Sequence, residues 1–155
     1  KDQQNDYYIF GGSKNQIINL KKKYRLRNLF LNSHQNIEIV KKQMKEMDIL
    51  LMPYSNKVTV SGNVSDTTKY MSPLKLFDYM STGRLILSSK LDVLKEVVND
   101  KQCVFIKNYL NPLSWLLEIN KIKNNVLKRN IIGKNSHLKS KQYFHDNRVL
   151  KYLEN

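Results

Sequence analysis

The sequence predicts an α/β domain of Rossmann-like, three-layer form, with a mostly parallel sheet and a helical C-terminal tail. Three observations carry this expectation. Short apolar runs alternate with stretches of helical period along the chain. Most of the runs are continuous rather than alternating, as in strands of a parallel sheet covered on both faces. The last stretch, 124–153, reads as helical and basic. A chain of 155 residues fits one domain and can bury a respectable core.

Taken in order, Tyr7-Tyr8-Ile9-Phe10 is a β-favouring run stopped by Gly11-Gly12. Residues 15–26 then carry Ile17, Ile18, Leu20 and Tyr24 near helical spacing. Leu29-Phe30-Leu31 is a second strand, closed by Asn32-Ser33-His34. Residues 37–47 form a helix with Ile37, Val40, Met44 and Met47 on one side. Ile49-Leu50-Leu51-Met52 is the third strand, ended by Pro53 because proline cannot continue a central strand. The polar segment 54–71 breaks this rhythm, and a connection of that length is usually functional or disordered. Ser72-Pro73 opens a helix, with Ser as N-cap and Pro at the first position, and Gly83 closes it. Leu85-Ile86-Leu87 is the fourth strand, 92–98 a short helix, and Val104-Phe105-Ile106 the fifth strand. Asn111-Pro112 starts another helix, and the basic tail is expected to break near Gly133 and Phe144.

Composition narrows the function without fixing it. The net charge of +14 suits an anionic partner: nucleic acid, acidic lipid or a phosphorylated substrate. The excess of Lys over Arg, with abundant Asn and Ile, is equally the mark of an AT-rich genome. The charge is dispersed, and the basic clusters lack the Arg forks and stacking aromatics of nucleic-acid binders, so nucleic acid is the disfavoured partner. No apolar run approaches the roughly 20 residues of a membrane span. The expectation is a cytoplasmic protein, with peripheral contact to the inner face of a membrane left open through the basic 124–141 helix. Cys103, in an apolar run, reads as a buried inert thiol. No His/Cys/Asp cluster has metal-ligand spacing, so neither a metal nor a cofactor is expected.

Ligands of open parallel sheets bind outside the carboxyl ends of the strands. The strongest chemical element there is Ser72-Pro73-Leu74-Lys75-Leu76-Phe77-Asp78. A helix start offers free N–H groups and a positive dipole end, an anion site to which Lys75 adds a full charge. Asp78, about one turn later, can accept two hydrogen bonds from vicinal ribose hydroxyls. Read as bare spacing, Lys75 and Asp78 are equally an exposed ion pair contributing a few tenths of a kcal/mol.

The segment Ser72 to Ser89, together with Phe10-Gly11-Gly12, 29–35 and Met47-Asp48-Ile49-Leu50-Leu51-Met52-Pro53, resembles the C-terminal, donor-binding domain of the family-4 glycosyltransferases of GT-B fold. Leu94-Lys95-Glu96-Val97-Val98 and 146–150 agree with it in order, so the likeness runs along nearly the whole chain. The resemblance implies an enzyme moving a sugar, with retention of configuration, from a nucleotide-diphosphate sugar such as a UDP-sugar to a glycan or lipid-linked acceptor. It gives Asp78 the place of the second glutamate of the family's Glu-x7-Glu motif, the ribose ligand. Lys75, as the catalytic cation, and the Ser72-Pro73-Leu74 helix start fall where the sugar diphosphate is held. Ser33 and His34 fall near the base, although a lone His is as readily a surface residue. Gly11 and Gly12 would let the backbone approach the donor, or only form a tight turn. Tyr70 stands where the first glutamate belongs and cannot supply its carboxylate. The resemblance further implies that 1–155 is a single nucleotide-sugar-binding domain, lacking the family's first strand-helix unit and the N-terminal acceptor domain. The chain alone is then expected to be inactive. The alternative is a non-catalytic basic module for nucleic acid or an anionic membrane surface.

Overall fold

The structure is a computed structural model that describes residues 4–55 and 74–143. Its chain divides into two compact units, 1–43 and 44–155, the division falling inside a helix.

The first unit begins with strand β1 (Tyr7–Phe10), helix α1 (Lys14–Lys23) and strand β2 (Leu29–Asn32). Helix α2 (Ile37–Glu46) leads out of it. β1 and β2 pair in parallel, with Tyr7 opposite Leu29 and Phe10 opposite Asn32. Parallel neighbours need a crossover, and α1 supplies it. That helix starts where Ser13 builds a capping box: its hydroxyl accepts from the Gln16 N–H, and the Gln16 side chain accepts from the Ser13 N–H. Its last turn carries Lys21, Lys22 and Lys23, which complement the negative end of the helix dipole. Ile17 and Leu31 are buried, while Tyr8 stacks on Phe30 in half-exposed positions with ring centroids 4.6 Å apart.

The second unit holds β3 (Ile49–Met52), α3 (Leu74–Ser81), β4 (Leu85–Ser89) and α4 (Asp92–Lys95). It continues with β5 (Val104–Ile106), α5 (Pro112–Ile122), α6 (Val126–Ser140) and a 3-10 turn at Lys141–Tyr143. The sheet order is β3-β4-β5, all parallel, with Leu50 opposite Ile86 and Ser88 opposite Phe105. Every residue of β4 is buried, so both faces of this central strand are covered, as its continuous apolar run predicts. The core joins Met52, Leu76, Met80, Ile86, Leu94 and Val98 from five successive segments of the chain. Cys103 is buried in the same core, its thiol near the Ile86 carbonyl, and burial pushes its pKa up to about 12. The thiol is therefore held in its unreactive form. Parallel strands joined by helices make this the Rossmann-like α/β fold that the sequence predicts.

Two local expectations need correction. The helix expected over 92–98 is one turn, Asp92–Lys95, followed by turns that carry the buried Val98 into the core. The break expected near Gly133 is absent, for α6 runs unbroken through it. Gly133 serves close approach instead. A Cβ there would collide with the carbonyl oxygen of Gly83 and crowd the Arg84 backbone. The glycine lets α6 lie directly on the turn that ends α3. Gly83 itself has φ +72°, the left-handed conformation of a helix-closing glycine, and its N–H bonds the Met80 carbonyl at 3.2 Å. The other expected interruption, at Phe144, lies outside the described residues. Arg129 of α6, nearly buried, pairs with Asp48 before β3 at 3.0 Å.

Candidate functional site

The chain path fixes which end of α3 can meet a ligand. The helix runs through Gly83 and Arg84 straight into Leu85, the first residue of β4. Its tail therefore sits at the amino edge of the sheet and its first turn toward the carboxyl edge, where ligands of such sheets bind. The tail is moored there. Nδ1 of His137 in α6 lies 2.9 Å from the Ser81 carbonyl oxygen. A carbonyl only accepts, so Nδ1 carries the proton.

Along α3, Leu76 and Met80 are buried, Phe77 and Tyr79 are half-buried, and Leu74, Lys75 and Asp78 are exposed. The alternation follows from helical spacing, with the two charged residues on the side away from the core. Among the described residues Lys75 and Asp78 make no ion pair with each other. The Lys75 ammonium instead lies 5.9 Å from the centre of the Tyr79 ring, four residues on. That leaves the Asp78 carboxylate open to solvent. Tyr79 is the residue that sequence reasoning missed, although its spacing from Lys75 is the ordinary one for helical neighbours. Its hydroxyl reaches the Leu51 carbonyl of β3 at 3.4 Å. Burial, then the nearby Tyr54 and Asp78, raise the Tyr79 pKa, so the ring stays neutral against the strand.

The carboxyl edge is tied by serines. The Ser89 hydroxyl at the end of β4 donates to the Tyr54 carbonyl at 2.8 Å and accepts from the Tyr54 N–H at 2.9 Å. The Ser88 hydroxyl bonds the Met52 carbonyl at 3.4 Å. The exit of β3 is thereby held beside the exit of β4, two residues before the chain enters 56–73. The expected site residues Ser72 and Pro73, and Tyr70, lie outside the described residues.

In the first unit the glycine turn is real. Gly11 has φ +128° and Gly12 φ +82°, conformations that side-chain-bearing residues rarely adopt. The Gly11 N–H bonds the Asn32 carbonyl at 3.0 Å, and the His34 N–H bonds the Gly12 carbonyl at 3.1 Å. Gly12 and His34 are thus neighbours, with Ser33 between the end of β2 and His34. The structure brings Gly11, Gly12, Ser33 and His34 into one loop pair, and Leu74, Lys75 and Asp78 onto one helix start. Among the described residues no three His, Cys, Asp or Glu side chains gather as a cation site. Among them, too, no helix is long and apolar enough to cross a membrane.

No family profile and no curated protein matches the chain. Solved structures do. TarM superposes with a TM-score of 0.67 at 17% identity, covering 99% of this chain and 29% of TarM. Sucrose-phosphate synthase from Thermosynechococcus elongatus gives a TM-score of 0.70 at 14% identity, over 95% of this chain and 36% of that one. HepE from Anabaena, in complex with UDP and glucose, gives 0.67 at 12% identity, over 97% and 40%. The chain has a Rossmann-like GT-B domain fold. It spans less than half the length of each of these proteins. At such low identities the GT-B likeness is one of chain path.

Proposed function

We propose that the chain is the nucleotide-sugar-binding domain of a glycosyltransferase, acting with a further domain that carries the acceptor. The observation that carries this reading is the first turn of α3 at the carboxyl edge. It offers a lysine and, one turn on, a carboxylate that the lysine leaves unpaired, within a GT-B fold. In the reaction, the bond between the sugar's anomeric carbon and the diphosphate oxygen breaks, an acceptor hydroxyl oxygen bonds that carbon, and the hydroxyl's proton leaves to the departing diphosphate. The departing diphosphate gains negative charge. Lys75 and the N–H groups of the helix start meet that charge where it develops, which lowers the barrier. Asp78 holds the ribose diol and so fixes the nucleotide along the helix. HepE, whose structures contain UDP or UDP-glucose, supports a UDP-sugar as the donor class. A retaining course, a glycan or lipid-linked acceptor and a cytoplasmic setting complete the reading, with no metal required by it.

Calorimetry with UDP tests it. Lys75→Ala should weaken UDP binding at least about tenfold, the loss of one charge-assisted contact. Asp78→Ala should leave deoxy-UDP affinity nearly unchanged while removing the preference for UDP over it. Wild-type affinity for both ligands in both variants would sink the proposal.

A further inference from the structure

The outer side of α6 is built the wrong way round for a helix that ends at water. Its inner side is small: Gly133, Ser136 and Ser140 are buried beside Ile132. A surface helix ordinarily turns its large apolar residues inward and its polar ones outward. Here Leu127, Ile131 and Leu138 are 72%, 51% and 50% exposed. At about 100° per residue these three fall within roughly 40° of one another, opposite Gly133 and Ser140. They form one apolar line along the helix.

The charge on α6 itself has a single sign. Lys128 and Lys134 are exposed and flank the apolar line. From Ile119 to Tyr143 the sequence contains no Asp or Glu at all, so every formal charge on α6 is positive. The preceding helix repeats the apolar part of the pattern, with Leu113 and Leu117 one turn apart and 63% and 70% exposed, while its Glu118 pairs with Lys121.

We propose that the outer face of α6 docks on an anionic lipid surface. The aliphatic line enters the boundary between headgroups and acyl chains, and the flanking lysines extend their stems to reach the lipid phosphates. Phosphates alone would account for the lysines but give nothing to three aliphatic side chains. A nucleic acid would use aromatic platforms, and α6 has none. The small inner side holds the helix flat on its own domain, so the apolar line is presented along its length. The proposal is independent of the donor reading, for none of these residues belongs to that site.

Co-sedimentation of the chain with vesicles tests it. Vesicles of phosphatidylglycerol in phosphatidylcholine should take up the protein at least about tenfold better than phosphatidylcholine alone, with uptake falling as salt is added. The triple change Leu127→Ser, Ile131→Ser, Leu138→Ser should cut uptake more than about tenfold at every salt concentration. Its thermal midpoint should fall only slightly, because the three side chains are at least half exposed and serine lowers helix propensity by a few tenths of a kcal/mol per site. Lys128→Gln and Lys134→Gln should each cost roughly fivefold and flatten the salt dependence. Equal uptake by neutral and anionic vesicles would overturn the proposal, as would a triple-serine variant that sediments like the wild type. Binding of single-stranded RNA that competes with the vesicles and survives the triple change would assign the face to nucleic acid instead.

Discussion

The two sheets among the described residues are made from similar apolar runs and are covered very differently. In β4 all five residues are buried, whereas in β1 none is, and Tyr8 and Ile9 remain 41% and 48% exposed. The difference lies in what each strand finds on its faces. β4 sits between two parallel partners, and residues pointing to both of its faces are shielded. Among the described residues β1 pairs with β2 alone, and its outward ring pair covers itself by stacking. An apolar run therefore specifies a strand, but the layers around it decide how much stability the strand contributes. The β4 sheet is secured by many buried groups and the β1 sheet by few.

That contrast can be broken by experiment. Ile86→Ala in β4 opens a fully buried position and should lower stability by about 3 kcal/mol in urea unfolding. Hydrogen exchange should show β4 amides opening only with the whole second unit. Gly133→Ala should cost about 2 kcal/mol, because the new methyl meets backbone that cannot rotate away. If that change is neutral, α6 does not lie on the Gly83 turn. Phe30→Ala, on the stacked half-exposed pair, should cost only about 1 kcal/mol. A loss there equal to that of Ile86→Ala would mean the two sheets are equally secured.

Much of this was legible in the residues themselves. β2 to β5 were marked by continuous apolar runs, and the Gly83 stop was marked by its position after a helical pattern. Gly133 reads as a helix break because a sequence shows the conformational freedom of a glycine but not the backbone that lies against it. The one-turn α4 looks longer in the sequence because Val97 and Val98 keep helical spacing while lying past its end, where Val98 enters the core. At the candidate site, Lys75 and Asp78 were visible as chemistry on one helix. What their spacing could not reveal was the competition from Tyr79, which draws the lysine toward an aromatic face. The Ser89 clasp on Tyr54 joins residues 35 positions apart and has no local signal at all.

Gly83 and Gly133 touch, and that contact reaches beyond packing. A side chain gained at residue 133 could be absorbed only if the helix drew back from the α3 turn, which would also part His137 from Ser81. Relatives of this chain should then change these four positions as a set or leave all of them alone, a pattern of joint inheritance that an alignment would expose directly.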